Sequence, residues 1–175
     1  MNKAVLISIR PEWCDLIVRG KKTIEVRKTR PKLETPFKAY IYCTKAQSKI
    51  GWLRIVPGKG WLQLGSAVIG EFTCDKIDKL VHVGTMMDIN ILTLDGWYKP
   101  AGELLQAACL TEAAAKKYLQ GRNGYGWHIS DLKIYDQPRK LRAFTGLQST
   151  RFGMRPVEIT RPPQSWCYVE ELSNE

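Results

Sequence analysis

Histidine is scarce in this 175-residue chain, with only His82 and His128 present. Its five cysteines, Cys14, Cys43, Cys74, Cys109 and Cys167, are odd in number, widely spread and never form a C-x-x-C pair. Tetrahedral metal sites need clustered thiolates or imidazoles, so no metal and no cofactor is expected, and the thiols read as small buried hydrophobes in a reducing compartment. Long apolar runs are also missing: no stretch approaches the roughly 18 residues that a membrane helix needs. The apolar start is cut by Arg10-Pro11-Glu12 too early for the core of a signal peptide, which gives the expectation of a cytoplasmic chain with no membrane partner. No G-x-S-x-G elbow occurs, and Ser130-Asp131 after His128 supplies no triad order, so serine-hydrolase chemistry drops out. Gly58-Lys59-Gly60 lacks the spacing and the Ser/Thr of a phosphate-binding loop.

What is present begins with charge. The chain carries 27 Lys and Arg against 17 Asp and Glu, a formal +10. That excess is front-loaded: residues 1–32 are net +6 and residues 33–65 net +4, so the total is reached by residue 65. A one-sided basic distribution suits a polyanion-binding face, because each neutralised phosphate releases condensed counterions, although a soluble basic surface would look the same in composition. Hydrophobic residues at 44% and charged residues at 25% exclude a disordered chain. The length suits one domain over 1–175, and relative to the family resemblance drawn below it carries a basic loop insertion at about 45–65 and a C-terminal extension after about 137.

Local patterns order the elements. Lys3 to Ile9 reads as a strand, and Pro11 opens a short helix whose Trp13, Leu16 and Ile17 share a face, closed by Gly20. Thr23 to Arg27 alternates with period two, sending Ile24 and Val26 one way and Thr23, Glu25 and Arg27 the other. Phe37 to Thr44 alternates likewise, with Phe37, Ala39, Ile41 and Cys43 expected in the core and Tyr40 and Tyr42 opposite them. Lys45 to Gly65 reads as a basic loop or irregular hairpin, Ser66 to Cys74 as a strand, and residues 80–110 show no clear period. Thr111 caps a helix of alanines ending in Lys116 and Lys117. Gly124 to Tyr135 reads as strand ended by Pro138, and Trp166 to Val169 as a closing strand. Short strands bracketing isolated helices predict an α+β fold, a small mixed β-barrel with flanking helices.

Gly20-Lys21-Lys22-Thr23-Ile24-Glu25-Val26-Arg27 spells G-x-K-x-x-E-x-R at a helix-to-strand junction. Lys and Arg donate to phosphate or carbonyl oxygen while Glu accepts from an exocyclic amine, so Lys22, Glu25 and Arg27 make a candidate ligand cleft, with Tyr42 near its wall. Lys22 joins only if the turn extends through it. The alternative is a rim in which Glu25 merely pairs with Lys22 and Arg27. Lys21, Lys28 and Lys32 are the candidate contacts to a nucleic-acid backbone. Tyr40 and Tyr42 are candidate stacking surfaces, or packed strand tyrosines. His128 beside Trp127 reads as a structural residue.

This motif, with the Arg10-Pro11-Glu12 helix start, the Ala39-Tyr40-Ile41-Tyr42 strand, Gly70-Glu71-Phe72 and Tyr125-Gly126-Trp127-His128-Ile129 in that order, resembles the ASCH domain of the PUA-like superfamily. The resemblance covers roughly residues 3–136. It implies a PUA-like barrel and binding of RNA or a modified nucleoside. Some similar proteins hydrolyse N4-acetylcytidine with a Lys, a Thr and a Glu. Lys22 matches that Lys, but Glu25 stands where the Thr belongs, leaving Thr23 as the neighbouring hydroxyl. If the chain is an enzyme, Lys22, Thr23 and Glu25 are the candidate catalytic residues. A ribonuclease is the remaining alternative the resemblance allows.

Overall fold

The computed structural model describes residues 2–45, 52–56 and 60–173, and of residues 52–64 the backbone alone. In chain order the strands and helices are β1 (Lys3–Ile9), α1 (Pro11–Val18), β2 (Ile24–Arg27), β3 (Phe37–Cys43), β4 (Trp52–Val56), β5 (Gly60–Leu64) and β6 (Ala67–Cys74). They continue with β7 (Ile77–Val83), β8 (Asp88–Leu92), β9 (Tyr98–Pro100), α2 (Gly102–Ala107) and α3 (Glu112–Leu119). The last are β10 (Gly124–His128), β11 (Ser130–Arg139), β12 (Thr145–Thr150), β13 (Gly153–Glu158) and β14 (Trp166–Glu170). The chain divides into two units, one formed by Met1–Arg19, Phe37–Thr73 and Asp131–Glu175, the other by Gly20–Pro36 and Cys74–Ser130.

The first unit is a seven-stranded sheet in the order β11-β6-β3-β1-β14-β12-β13. Its centre is β1, parallel to β3 and antiparallel to β14. From Ala4 to Ile9 every residue of β1 is buried, which is why the strand reads as a continuous apolar run. The closing strand at Trp166 forms as expected, pairing Ile7 with Trp166 and Ala4 with Val169. Both faces of β3 are covered, however. Tyr40 and Tyr42 lie opposite Ala39 and Ile41, yet they join a second apolar cluster with Leu6, Val68, Tyr135, Phe144 and Val169. Tyr40 packs on Phe144 at 4.9 Å between centroids, and its hydroxyl accepts from Leu172 N at 2.8 Å. It is core, not an exposed platform. Pro138 does not end its strand: β11 runs on to Arg139. β11 is an edge strand, where a residue without an N–H costs no ladder bond, and Pro156 sits the same way on the opposite edge strand β13.

The second unit is a five-stranded antiparallel sheet, β2-β10-β7-β8-β9, with α2 and α3 against one face. The core beneath the helices joins Ile24, Val26, Leu80, Ile89 and Ile91 of the sheet to Leu104, Leu105, Ala115 and Leu119. Gly124 and Gly126 alternate on β10 and make room for it. A Cβ on Gly126 would meet Leu104 Cδ1 at 3.0 Å, and one on Gly124 would meet Leu119 Cδ2 at 2.7 Å. α3 starts at Thr111, whose hydroxyl accepts from Ala114 N at 3.1 Å, and ends at the left-handed Gln120. The aperiodic segment 80–110 resolves into the β7-β8-β9 meander and α2. The basic segment pairs β4 with β5 as a hairpin, while its Pro57-Gly58-Lys59 stretch lies outside the described residues.

The described residues are mostly β with three α-helices, which bears out the expected mixture of strands and flanking helices but not the closed barrel. Among the described residues neither strand order closes on itself. Among the described residues no helix is long and apolar enough to cross a membrane.

Candidate functional site

α1 stops at Arg19, and Gly20 takes φ +69°, a left-handed turn that glycine makes without steric cost. The chain then crosses Lys21 to Thr23 before β2 begins at Ile24. Thr23 N donates to Ala107 O, and Ile129 N to Thr23 O, both at 2.9 Å, tying this crossing to the end of α2 and to the residue after β10. Because the strand has not yet started at Lys22, its side chain is free of period-two alternation. It turns to the same side as Glu25 and Arg27.

The three side chains form one network. Lys22 Nζ lies 3.2 Å from Glu25 Oε2, and Arg27 NH2 lies 2.9 Å from Glu25 Oε1. Lys22 Nζ also donates to Ala108 O at 2.7 Å. Ala108 is the C-cap of α2, so the ammonium satisfies a carbonyl at a helix end, where the backbone dipoles favour a cation. Burial is what distinguishes this network from an exposed rim: Lys22, Glu25 and Arg27 are 3%, 6% and 8% exposed. Register places Glu25 opposite Trp127 and Arg27 opposite Tyr125, on the sheet face away from α2 and α3. The Gly124-Tyr125-Gly126-Trp127 alternation is the sequence signal for that face.

The other expected residues differ in their own surroundings. Thr23 is exposed while Lys22 is buried, so their neighbouring positions in sequence do not put them in one environment. Lys21 and Lys32 are exposed, and Lys28 Nζ sits 5.1 Å from the centroid of the Tyr118 ring. Tyr42 belongs to the first unit, where burial raises its hydroxyl pKa despite a hydrogen bond with Ser66.

Both histidines have partners that sequence proximity did not reveal. His128 Nε2 is 2.7 Å from Asp78 Oδ2, and Lys76 Nζ is 2.9 Å from Asp78 Oδ1. Burial alone would raise the Asp78 pKa, but the hydrogen bonds from Lys76 and His128 outweigh it and hold the carboxyl below its ordinary value. The two ring nitrogens of His82 lie 3.1 Å from the carbonyl oxygens of Met87 and Arg122. All five cysteines are free, three of them buried. Among the described residues no three His, Cys, Asp or Glu side chains gather as metal ligands.

The family model of the ASCH domain matches residues 7–71. Residues 7–71 are ASCH-like in sequence. That segment takes in the Arg10-Pro11-Glu12 helix start, the G-x-K-x-x-E-x-R stretch and the tyrosine strand, but not Tyr125 to Ile129, on which the resemblance also rested. Three solved structures share the fold. The ASCH protein from Zymomonas mobilis is 20% identical, with TM-score 0.54 over 96% of this chain and 88% of its own. A tyrosine-to-phenylalanine mutant of it scores 0.52 at 20% identity, covering 97% and 92%, and a serine-to-alanine mutant 0.52 at 19%, covering 96% and 89%. Comparison with curated proteins finds no match.

Proposed function

We propose that this ASCH-type chain binds RNA, with the Lys22–Glu25–Arg27 network as the charged floor of its site. The carrying observation is the burial of all three side chains with a net charge of +1. Burying three charges costs several kcal/mol per ion in desolvation, and a well-packed apolar triplet usually does as well for stability. Stability therefore does not by itself account for the network, and a rigid cation beside the partly exposed Tyr125 suits phosphate and base. The front-loaded basic charge supports the same class of partner.

Fluorescence anisotropy with a labelled single-stranded RNA tests this. Affinity should fall steeply between about 50 and 200 mM salt, and replacing Lys21, Lys28 and Lys32 with Gln should flatten the log–log slope by up to about 2. Affinity indifferent to salt, or no binding at all, would remove the proposal.

One observation keeps a second reading alive. The Lys22–Glu25 contact at 3.2 Å sets an ammonium proton donor beside a carboxylate acceptor, the two kinds of group that an amidohydrolase acting on a modified nucleoside would use. Incubation with N4-acetylcytidine separates the two: cytidine released by the native chain and not by Lys22→Ala would replace binding alone with catalysis.

A further inference from the structure

The register of the five-stranded sheet sets a single row, starting at Arg27, on the face away from the helices. Arg27 pairs with Tyr125, Tyr125 with Lys79, Lys79 with Leu92, and Leu92 with Tyr98. Paired residues of an antiparallel sheet point to the same side, so these five side chains stand abreast. Adjacent strands are about 4.8 Å apart, which makes the row roughly 19 Å long. Exposure rises along it: Arg27 is buried, Tyr125, Lys79 and Leu92 are partly buried, and Tyr98 on the edge strand is 57% exposed. The opposite face of the same strands is filled by Leu80, Ile89 and Ile91 against the helices.

The row thus runs cation, aromatic, cation, aliphatic, aromatic. Both acids on this face are bridged, and the network with Lys79 leaves a positive balance. Glu25 is bridged by Lys22 and Arg27, and Asp88 at the β7–β8 hairpin end is bridged by Lys116 at 3.0 Å. Arg27 and Lys79 are the cations among its strand positions.

We propose that this row is a track for single-stranded RNA, leading from the buried network to the edge of the sheet. Bases stack on Tyr125 and Tyr98, and Lys79 holds a phosphate between them. The inference rests on the RNA-binding reading above and extends it by naming the strand form of the ligand and its path. Aromatic faces accept any base, so the track confers length dependence rather than sequence preference.

Two RNA probes, a dinucleotide and a single strand of about eight residues, test it by anisotropy. Tyr98→Ala should weaken the longer probe by about 5- to 100-fold and leave the dinucleotide unchanged. Lys79→Gln should lower the salt slope for the longer probe by about 0.7. Trp97→Ala is the control: this residue is 73% exposed but one position out of step with the row. Its removal should leave both probes unaffected. If the native chain binds the longer probe and Tyr98→Ala binds it equally well, the track is wrong and the RNA-binding reading stands. Equal losses from Tyr98→Ala and Trp97→Ala, or a change in self-association with Tyr98→Ala in place of a change in RNA affinity, also overturn it. If the native chain binds neither probe, both proposals fall.

Discussion

Removing Glu25 is the most informative single perturbation. Its two carboxylate oxygens are divided between Lys22 Nζ at 3.2 Å and Arg27 NH2 at 2.9 Å. Glu25→Ala leaves two cations in a region where all three side chains are at most 10% exposed, with the Ala108 carbonyl still accepting from one of them. Breaking a buried pair from one side costs about 3–5 kcal/mol, whereas an exposed pair is worth about 0–1. At about 2–4 °C per kcal/mol for a chain of this size, the melting temperature should drop by roughly 6–20 °C. The companion is a charge-free triple variant, Lys22→Met, Glu25→Leu, Arg27→Met. It removes the desolvation cost along with the attraction, so it should recover most of the lost stability while losing RNA affinity. Thermal unfolding by circular dichroism at fixed pH and salt reads both. A Glu25→Ala variant that melts within about 2 °C of the native chain would show the network to be solvated and refute the argument.

Three further outcomes follow from other parts of the molecule. Gly70→Ala places a Cβ against the main-chain oxygen of Lys133 and the Ile134 side chain, and should cost about 1–3 kcal/mol in denaturant unfolding; an unchanged midpoint would mean that β6 and β11 are not packed as described. The depressed Asp78 pKa makes acid the relevant direction, since its stabilisation is present above the unfolded carboxylate value and is lost as pH falls through the lower folded one. Asp78→Asn should therefore be less stable than the native chain at pH 7, with the gap narrowing below about pH 4, and a gap constant down to pH 2 would contradict the pairing with Lys76 and His128. Burial pushes the Cys74 thiol up to about 12 and Cys167 to about 11. At pH 8 only about one Cys74 in ten thousand would be thiolate, so mass spectrometry after brief iodoacetamide treatment should find Cys74 unmodified in the folded chain and modified in urea; fast modification of the folded chain would refute its burial.

Elements with local signals were legible in the sequence. Pro11 and Gly20 bracket α1, Thr111 and the lysines of the last turn bracket α3, and the alternation of Ile24 to Arg27 separates Ile24 and Val26 from Glu25 and Arg27. Each is decided by neighbours within about four residues, through capping, backbone preference or pleat. α2 was not legible, because its six residues acquire their helical partners from Ile24, Val26 and the sheet beneath rather than from their own pattern. Pro138 misled because a missing N–H matters only where a neighbouring strand waits for it, and edge position is set by the whole sheet order.

The candidate site divides the same way. Sequence alone determined which residue types stand at Lys22, Glu25 and Arg27, and pleat geometry alone put the last two on one side. That Lys22 joins them depends on a chain crossing held by Ala107 and Ile129 and on a helix-end carbonyl 86 residues away. That His128 has a carboxylate partner depends on Asp78, 50 residues earlier. Whether Tyr40 is a platform or core was settled by Phe144 and Leu172. Short-range sterics and hydrogen bonding fix which way a side chain leaves the backbone, and they act wherever that segment goes. What it then meets, water, a carbonyl, an opposite charge or an aromatic ring, is supplied by segments remote in the chain, and burial and pairing therefore existed only once the sheets had formed.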